Sequence, residues 1–253
     1  MIELRLEGPV ARLHIRRAGK KNAMSQAMWQ ALHDHCAALA ATPPRVLVVQ
    51  GEPGVFCAGA DIEEMQQLMQ EPARMAANNR VVAEAQLALE RLPLPTLALI
   101  DGPCFGGGFG IAAACDFRLG TPRSLFAITP ARLGLLYSIE DTRRVVALVG
   151  PARAKRLLLR SERLDADAAL AWGVLDAVVE PEALPARAAA FVDELLAQPA
   201  ASMAGIKATV QHLCGHEHVD ETQLRARFDA AFRGPDFAEG TAAFLARRPP
   251  RFS

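Results

Sequence analysis

The stretch that decides the fold is Asp101-Gly102-Pro103-Cys104-Phe105-Gly106-Gly107-Gly108-Phe109-Gly110. An apolar run, Thr96 to Ile100, precedes it, and a run of small residues, Ile111 to Cys115, follows. The first run reads as a buried strand and the second as a helix packed close on its neighbours. Glycines ahead of a helix leave backbone N–H groups uncovered, and those groups with the helix dipole favour negative charge. Such a place can hold a phosphate, or an oxyanion that exists only during a reaction. A tight strand-to-helix turn in which glycine serves geometry alone is the competing reading, and this stretch does not choose between them. Phosphate binding of the P-loop kind is disfavoured, because no Gly-Lys-Ser/Thr ending follows the glycines.

Upstream, Ile2 to Leu6 and Val10 to Ile15 alternate around Glu7-Gly8-Pro9 and read as a hairpin. Ser25 is placed to cap a helix whose face is Met28, Leu32, Cys36 and Leu39, stopped by Pro43-Pro44. Val46 to Val49 is a second buried strand, and Gly51 to Gly59 is a loop. Asp61 can cap a short helix that runs to Met69, and an amphipathic helix fills about Pro72 to Leu92. Downstream, Asp116 to Leu119 and Leu125 to Ile128 read as short strands. Ile139 to Val149 is a helix closing at Gly150, and Pro151 opens the next. Asp165 or Asp167 caps Ala168 to Trp172, and Val174 to Val179 is a last strand. From Pro181 onward only helices are expected. The chain is therefore α/β over residues 1–180, with a helical appendage over 181–253.

Lys and Arg number 28 and Asp and Glu 28, which argues against any general attraction to nucleic acid or anionic membrane. No apolar run approaches the roughly 20 residues of a membrane span. The N-terminal segment lacks a signal peptide's apolar centre, and five cysteines without framework spacing suit a reducing cytoplasm. Cys57, Cys104 and Cys115 read as buried packing. His212, Cys214, His216 and His218 are close in sequence, but their spacing fits no metal finger, so they read as a polar helix junction with no metal. Arg143-Arg144 and Arg153 with Lys155-Arg156 read as solvated helix faces.

Phe56-Cys57-Ala58-Gly59-Ala60-Asp61-Ile62 after one strand and Gly106-Gly107-Gly108 after the next resemble the two signature loops of the crotonase (enoyl-CoA hydratase/isomerase) superfamily. Lys21-Asn22-Ala23-Met24, Cys115-Asp116, Trp172-Gly173-Val174-Leu175 and Glu239-Gly240 with Arg247-Arg248-Pro249 extend the resemblance almost end to end. It implies a spiral of strand–strand–helix turns whose C-terminal helices pack in a homotrimer, often a dimer of trimers. It implies an acyl-CoA substrate and no tightly bound cofactor, coenzyme A being part of the substrate. It places the CoA near Lys21, Ala23, Ala58, Asp61 and Ile62, and gives the thioester oxygen to the N–H groups of Ala60 and Gly107. Two fixed donors suit an enolate oxygen, and losing one such donor costs about 2.7–4 kcal/mol of barrier.

The chain departs from the hydratases of that family at both of their water-holding glutamates, which are here Gly110 and Pro130. Hydration needs a general base within hydrogen-bond reach, and neither residue is one. Phe126 to Pro130, Leu133-Gly134 and Tyr137 resemble the matching segment of methylmalonyl-CoA decarboxylases, which makes Thr129 and Tyr137 candidate catalytic residues. Glu140 is a candidate displaced acid, because related isomerases and dehalogenases place an acid near this loop. Each has a plainer reading: Thr129 as a turn residue before Pro130, Tyr137 as a core tyrosine, Glu140 with Asp141 as acids favoured by a helix start, and Lys20-Lys21 as a solvated loop. The resemblance thus implies an acyl-CoA lyase or isomerase that dispenses with the glutamate pair. A decarboxylase acting on a malonyl-type thioester and a non-catalytic acyl-CoA binding protein are the alternatives.

Overall fold

The computed structural model describes residues 1–216 and 220–252. A six-stranded sheet runs in the order β1 (Ile2–Glu7), β2 (Val10–Ile15), β3 (Val46–Gln50), β4 (Thr96–Ile100), β6 (Phe117–Gly120), β9 (Ala177–Val178). Its first pair is antiparallel and the rest are parallel. A smaller sheet holds β5 (Pro103–Phe105), β7 (Leu125–Ala127) and β8 (Arg163–Leu164). Val46 to Val49 in β3 and Leu97 to Ile100 in β4 are unbroken apolar runs, as suits strands covered on both faces of the sheet. Leu47, Val49, Ala98 and Ile100 point to the main core, and Val46, Val48, Leu97 and Leu99 point to a second one.

Each pass of the chain crosses the large sheet, then the small one, then a helix. β4 and β5 lead to α4 (Gly107–Ala114), and β6 and β7 lead through a 3-10 turn (Pro130–Leu133) to α5 (Ile139–Arg160). Successive passes stack side by side. Cys57 bridges Cys104, Cys104 pairs with Phe126, and Phe126 pairs with Leu164. This is the strand–strand–helix spiral that the resemblance implied.

α1 (Gln26–Ala41) starts at Ser25, whose hydroxyl accepts from Met28 N, and it buries Met28, Leu32, Cys36 and Leu39 as expected. α2 (Ile62–Leu68) starts at Asp61, and α3 (Pro72–Glu90) ends before Pro93. α5 breaks at Gly150, which has φ +74°, and resumes at Pro151. α6 (Ala166–Ala171) is capped by Asp165 rather than Asp167. α7 (Leu184–Leu196) lays Leu184, Ala188 and Val192 on the second face of the large sheet. α8 (Ala200–Leu213), α9 (Glu221–Ala231) and α10 (Pro235–Leu245) follow. Lys207 ties α8 to the sheet by donating to the Leu94 carbonyl at 2.9 Å and to Asp116 Oδ2 at 2.8 Å.

Some boundaries differ from the expectation. α4 begins at Gly107, not Ile111, so glycines form its first turn. Close packing outweighs their poor helix propensity here, since a Cβ on Gly108 would lie 2.5 Å from the Cys57 carbonyl oxygen. The strand expected over Val174 to Val179 shrinks to two residues, because the N–H groups of Val174 and Leu175 close α6 on the Ala169 carbonyl. β5 and β8 were not expected; both are short and exist through pairing with β7.

Candidate active site

Asn22 holds two loops together. It is buried with φ +57°, its Oδ1 accepts from Arg17 N at 2.8 Å, and its Nδ2 donates to the Val55 and Phe56 carbonyls at 3.1 and 3.2 Å. Ala58 N donates to the Lys21 carbonyl at 3.0 Å, Met24 N to Gly59 at 2.7 Å, and Asp61 N to Met24 at 3.0 Å. The last two bonds form a parallel bridge between Met24 and Ala60. In such a bridge the flanking residues make the bonds, so the N–H of Ala60 is turned away from Met24. It finds no acceptor among the described residues.

The N–H of Gly107 is at the first position of α4 and likewise has no acceptor among the described residues. A Cβ on Gly107 would lie 3.8 Å from Ala60 N, so the two amides are neighbours. Gly59 permits this approach: its φ is +102°, and a Cβ there would lie 2.9 Å from the Phe105 carbonyl oxygen and 3.5 Å from Gly107 N. The Tyr137 hydroxyl donates to the Gly106 carbonyl at 2.9 Å, next to the same helix start. Burial first, and the Asp141 carboxylate second, hold its pKa well above 10.0.

The absent side chain at Gly110 has a structural counterpart. A Cβ there would lie 2.2 Å from the end of the Gln86 amide and 2.7 Å from Asp141 Oδ1. The space is therefore filled by a glutamine from α3 and a carboxylate from the first turn of α5. Oriented to satisfy both groups, the Gln86 amide nitrogen donates to the two Asp141 oxygens at 3.0 and 3.1 Å. Arg144, one turn on, donates to Asp141 Oδ1 at 2.9 Å and to both oxygens of Glu90 at 3.0 and 2.8 Å. Arg144 is buried, which corrects its reading as part of a solvated face. Desolvation raises the pKa of Asp141 above 3.8, against the pull of Arg144.

The remaining candidates are distributed around these groups. Thr129 is half-buried; its carbonyl accepts from Arg132 N, and Pro130 opens the 3-10 turn. Glu140, half-buried at the second position of α5, makes no side-chain hydrogen bond among the described residues. Lys21 is exposed with φ +48° and has no ion pair among the described residues, whereas Lys20 pairs with Glu63 at 2.6 Å. Ala23 and Ala58 are half-buried beside it, and Ile62 is exposed at the start of α2. Asp61 spends its carboxylate on the cap of α2 and on Arg17 at 2.6 Å. Cys57, Cys104 and Cys115 are buried free thiols, and burial pushes Cys57 and Cys115 up to about 12. His216 contacts Glu90 at 3.5 Å and His212 contacts Glu221 at 3.9 Å; His218 lies outside the described residues.

A sequence profile described as enoyl-CoA hydratase/isomerase matches residues 5–253. The chain belongs to the enoyl-CoA hydratase/isomerase family. It is 30% identical to the crotonyl-CoA hydratase of Syntrophomonas wolfei, over 99% of this chain and 97% of that protein. It is 29% identical to the mitochondrial methylglutaconyl-CoA hydratase of Rattus norvegicus, over 95% of this chain and 78% of that one. The crystal structure of an enoyl-CoA hydratase/isomerase family protein from Hyphomonas neptunium superposes with a TM-score of 0.92 at 31% identity, covering 100% of this chain and 97% of that one. Within this family frame, Gln86 and Glu90 are polar groups that sequence reasoning passed over, while Asp141 was read as an acid at a helix start and Arg144 as part of a solvated face. One signal was present: Asp141 and Arg144 are three residues apart at the start of a helix, so they share a face.

Proposed function

We propose that this member of the enoyl-CoA hydratase/isomerase family is an acyl-CoA lyase or isomerase. It works through a thioester enolate whose oxygen is held by the N–H groups of Ala60 and Gly107. One observation carries the reading: two neighbouring main-chain amides, from separate segments, have no acceptor of their own among the described residues. Both residues are half-buried, which leaves the pair of donors open to a ligand oxygen. CoA lies along Lys21, Ala23, Ala58 and Ile62, with the Lys21 ammonium near its phosphates. With Gly110 and Pro130 at the glutamate positions that the resemblance gives, neither of those two carboxylates is there to hold water. The test is incubation with butyryl-CoA in D2O and, separately, with crotonyl-CoA. Deuterium entering the α-carbon without rapid hydration supports the reading; rapid hydration of crotonyl-CoA, or no α-exchange, overturns it.

The Tyr137 hydroxyl on the Gly106 carbonyl favours a second reading, a decarboxylase-type lyase acting on a malonyl-type thioester. Loss of CO2 makes the enolate directly, and Tyr137 with Thr129 would face the leaving carboxylate. Release of CO2 that falls in Tyr137→Phe supports it, and no release from malonyl- or methylmalonyl-CoA removes it. Acyl-CoA binding with no turnover of any of these thioesters would instead make the chain a binding protein. The same reading carries a homotrimer or a dimer of trimers as the assembly, and the exposed apolar residues of α8 to α10 support it.

A further inference from the structure

We infer that Asp141 is the acid–base group of this site, entering from α5 into the space that Gly110 leaves open, and that it runs a proton shift on the thioester. The inference rests on the enolate reading above and names its reaction.

Three observations carry it. The first is position. Gly110 is three residues past Gly107, about 4.5 Å along the α4 axis, and Asp141 Oδ1 comes within 2.7 Å of where a Gly110 Cβ would be. A thioester carbonyl held at Gly107 N therefore has its α-carbon within reach of the first turns of α4, the side that Asp141 faces. The second is charge. The Arg144 guanidinium gives two of its hydrogen bonds to Glu90 and one to Asp141, so Asp141 holds only part of it. Asp141 keeps a basicity that an undivided ion pair would quench. The third is orientation. The Gln86 amide and Arg144 together fix the carboxylate from α3 and α5, while Tyr137 and Glu140 are the other titratable groups on its side. Glu90 is in turn faced by Arg143 and His216.

The step balances with these groups alone. Asp141 takes the α-proton, and the C–H electron pair enters the thioester carbonyl to give the enolate. For a β,γ-unsaturated acyl group the protonated Asp141 returns that proton to the γ-carbon. The electrons flow back out of the enolate oxygen, and the double bond moves into conjugation. One carboxylate removes and returns the proton, so no second acid and no water are needed. Hydration requires both.

The experiment follows conversion of 3-butenoyl-CoA to crotonyl-CoA, and α-deuteration of butyryl-CoA, across pH. The wild type is expected to do both, with an acid limb in kcat/KM above the ordinary aspartate range. Asp141→Asn is expected to lose about 10²–10⁴-fold while still binding butyryl-CoA. Gln86→Leu is expected to move the acid limb to higher pH, because it removes a donor that favours the ionised carboxylate. A purely structural Gln86 would leave the limb in place. Exchange that survives in Asp141→Asn, or that disappears in Glu140→Gln instead, overturns the inference and leaves the enolate reading standing. A wild type inert to both thioesters overturns the two together. Should Asp141→Asn not fold, the Gln86→Leu profile decides: an unmoved limb overturns the inference.

Discussion

Gly110 shows how one missing side chain can be a requirement for two others. A methyl group there would overlap the Gln86 amide at 2.2 Å and Asp141 Oδ1 at 2.7 Å. Gly110→Ala is therefore expected to lose about 1–3 kcal/mol of stability by overpacking, read as a lowered urea midpoint, and to lose α-exchange with it. Asp141 adds a pH signature of its own. Its folded pKa lies above 3.8, so the folded state holds the proton more tightly than the unfolded chain does. Its contribution to stability is full below 3.8 and is lost as pH rises through the raised folded value. The wild type is thus expected to gain on Asp141→Asn as pH falls through that window, measured by denaturant melts at matched pH. The sequence shows a glycine at position 110 where the resemblance expects a glutamate, because a residue at a motif position is visible in one dimension. It did not show Gln86 and Asp141 filling that space, because they come from helices that only folding brings together. Glu140 was named from the resemblance alone, and Asp141, next to it in the first turn of α5, is the carboxylate that reaches the Gly110 space.

Elements with strong local signals were the legible ones. Ser25, Asp61 and Asp165 cap helices as their side chains suggest, and prolines open or close most of the rest. β5 and β8 were illegible for the opposite reason. Neither has a propensity signal of its own, and both are strands only because β7 lies between them. Asp116 also acquires its meaning from other elements. Its Oδ2 accepts from Thr96 N and Oγ1 on β4 at 2.8 and 3.0 Å and from Lys207 on α8 at 2.8 Å, which pins the C-terminal helices to the sheet. Lys207→Met removes the α8 half of that tie and is expected to cost about 1.5–3 kcal/mol, the worth of a charge-assisted hydrogen bond. Urea unfolding of wild type and variant measures it, and an unchanged midpoint would assign the tie to Thr96 alone.

At the scale of the whole molecule, the spiral and the helical tail divide the work. The spiral builds the candidate site by stacking successive passes, so that the Ala60 and Gly107 amides come from neighbouring turns. The tail leaves much of its apolar surface in water: Phe228, Phe232, Phe237 and Phe244 are exposed, Phe244 by 82%. Three of these rings pack edge to face in a row, Phe228 on Phe232 and Phe232 on Phe237. A monomer has little reason to keep such a row uncovered, because clustered apolar surface of this kind marks an interface. The proposed trimer buries it in a closed ring, which a head-to-tail contact satisfies only if the rotation closes. Sedimentation is expected to give three or six times 27.2 kDa for the wild type. Phe232→Asp, at the centre of the row, is expected to shift it to the single-chain mass while leaving the spiral folded by circular dichroism. A wild type that sediments at 27.2 kDa at micromolar concentration would mean that the row serves some purpose other than self-association.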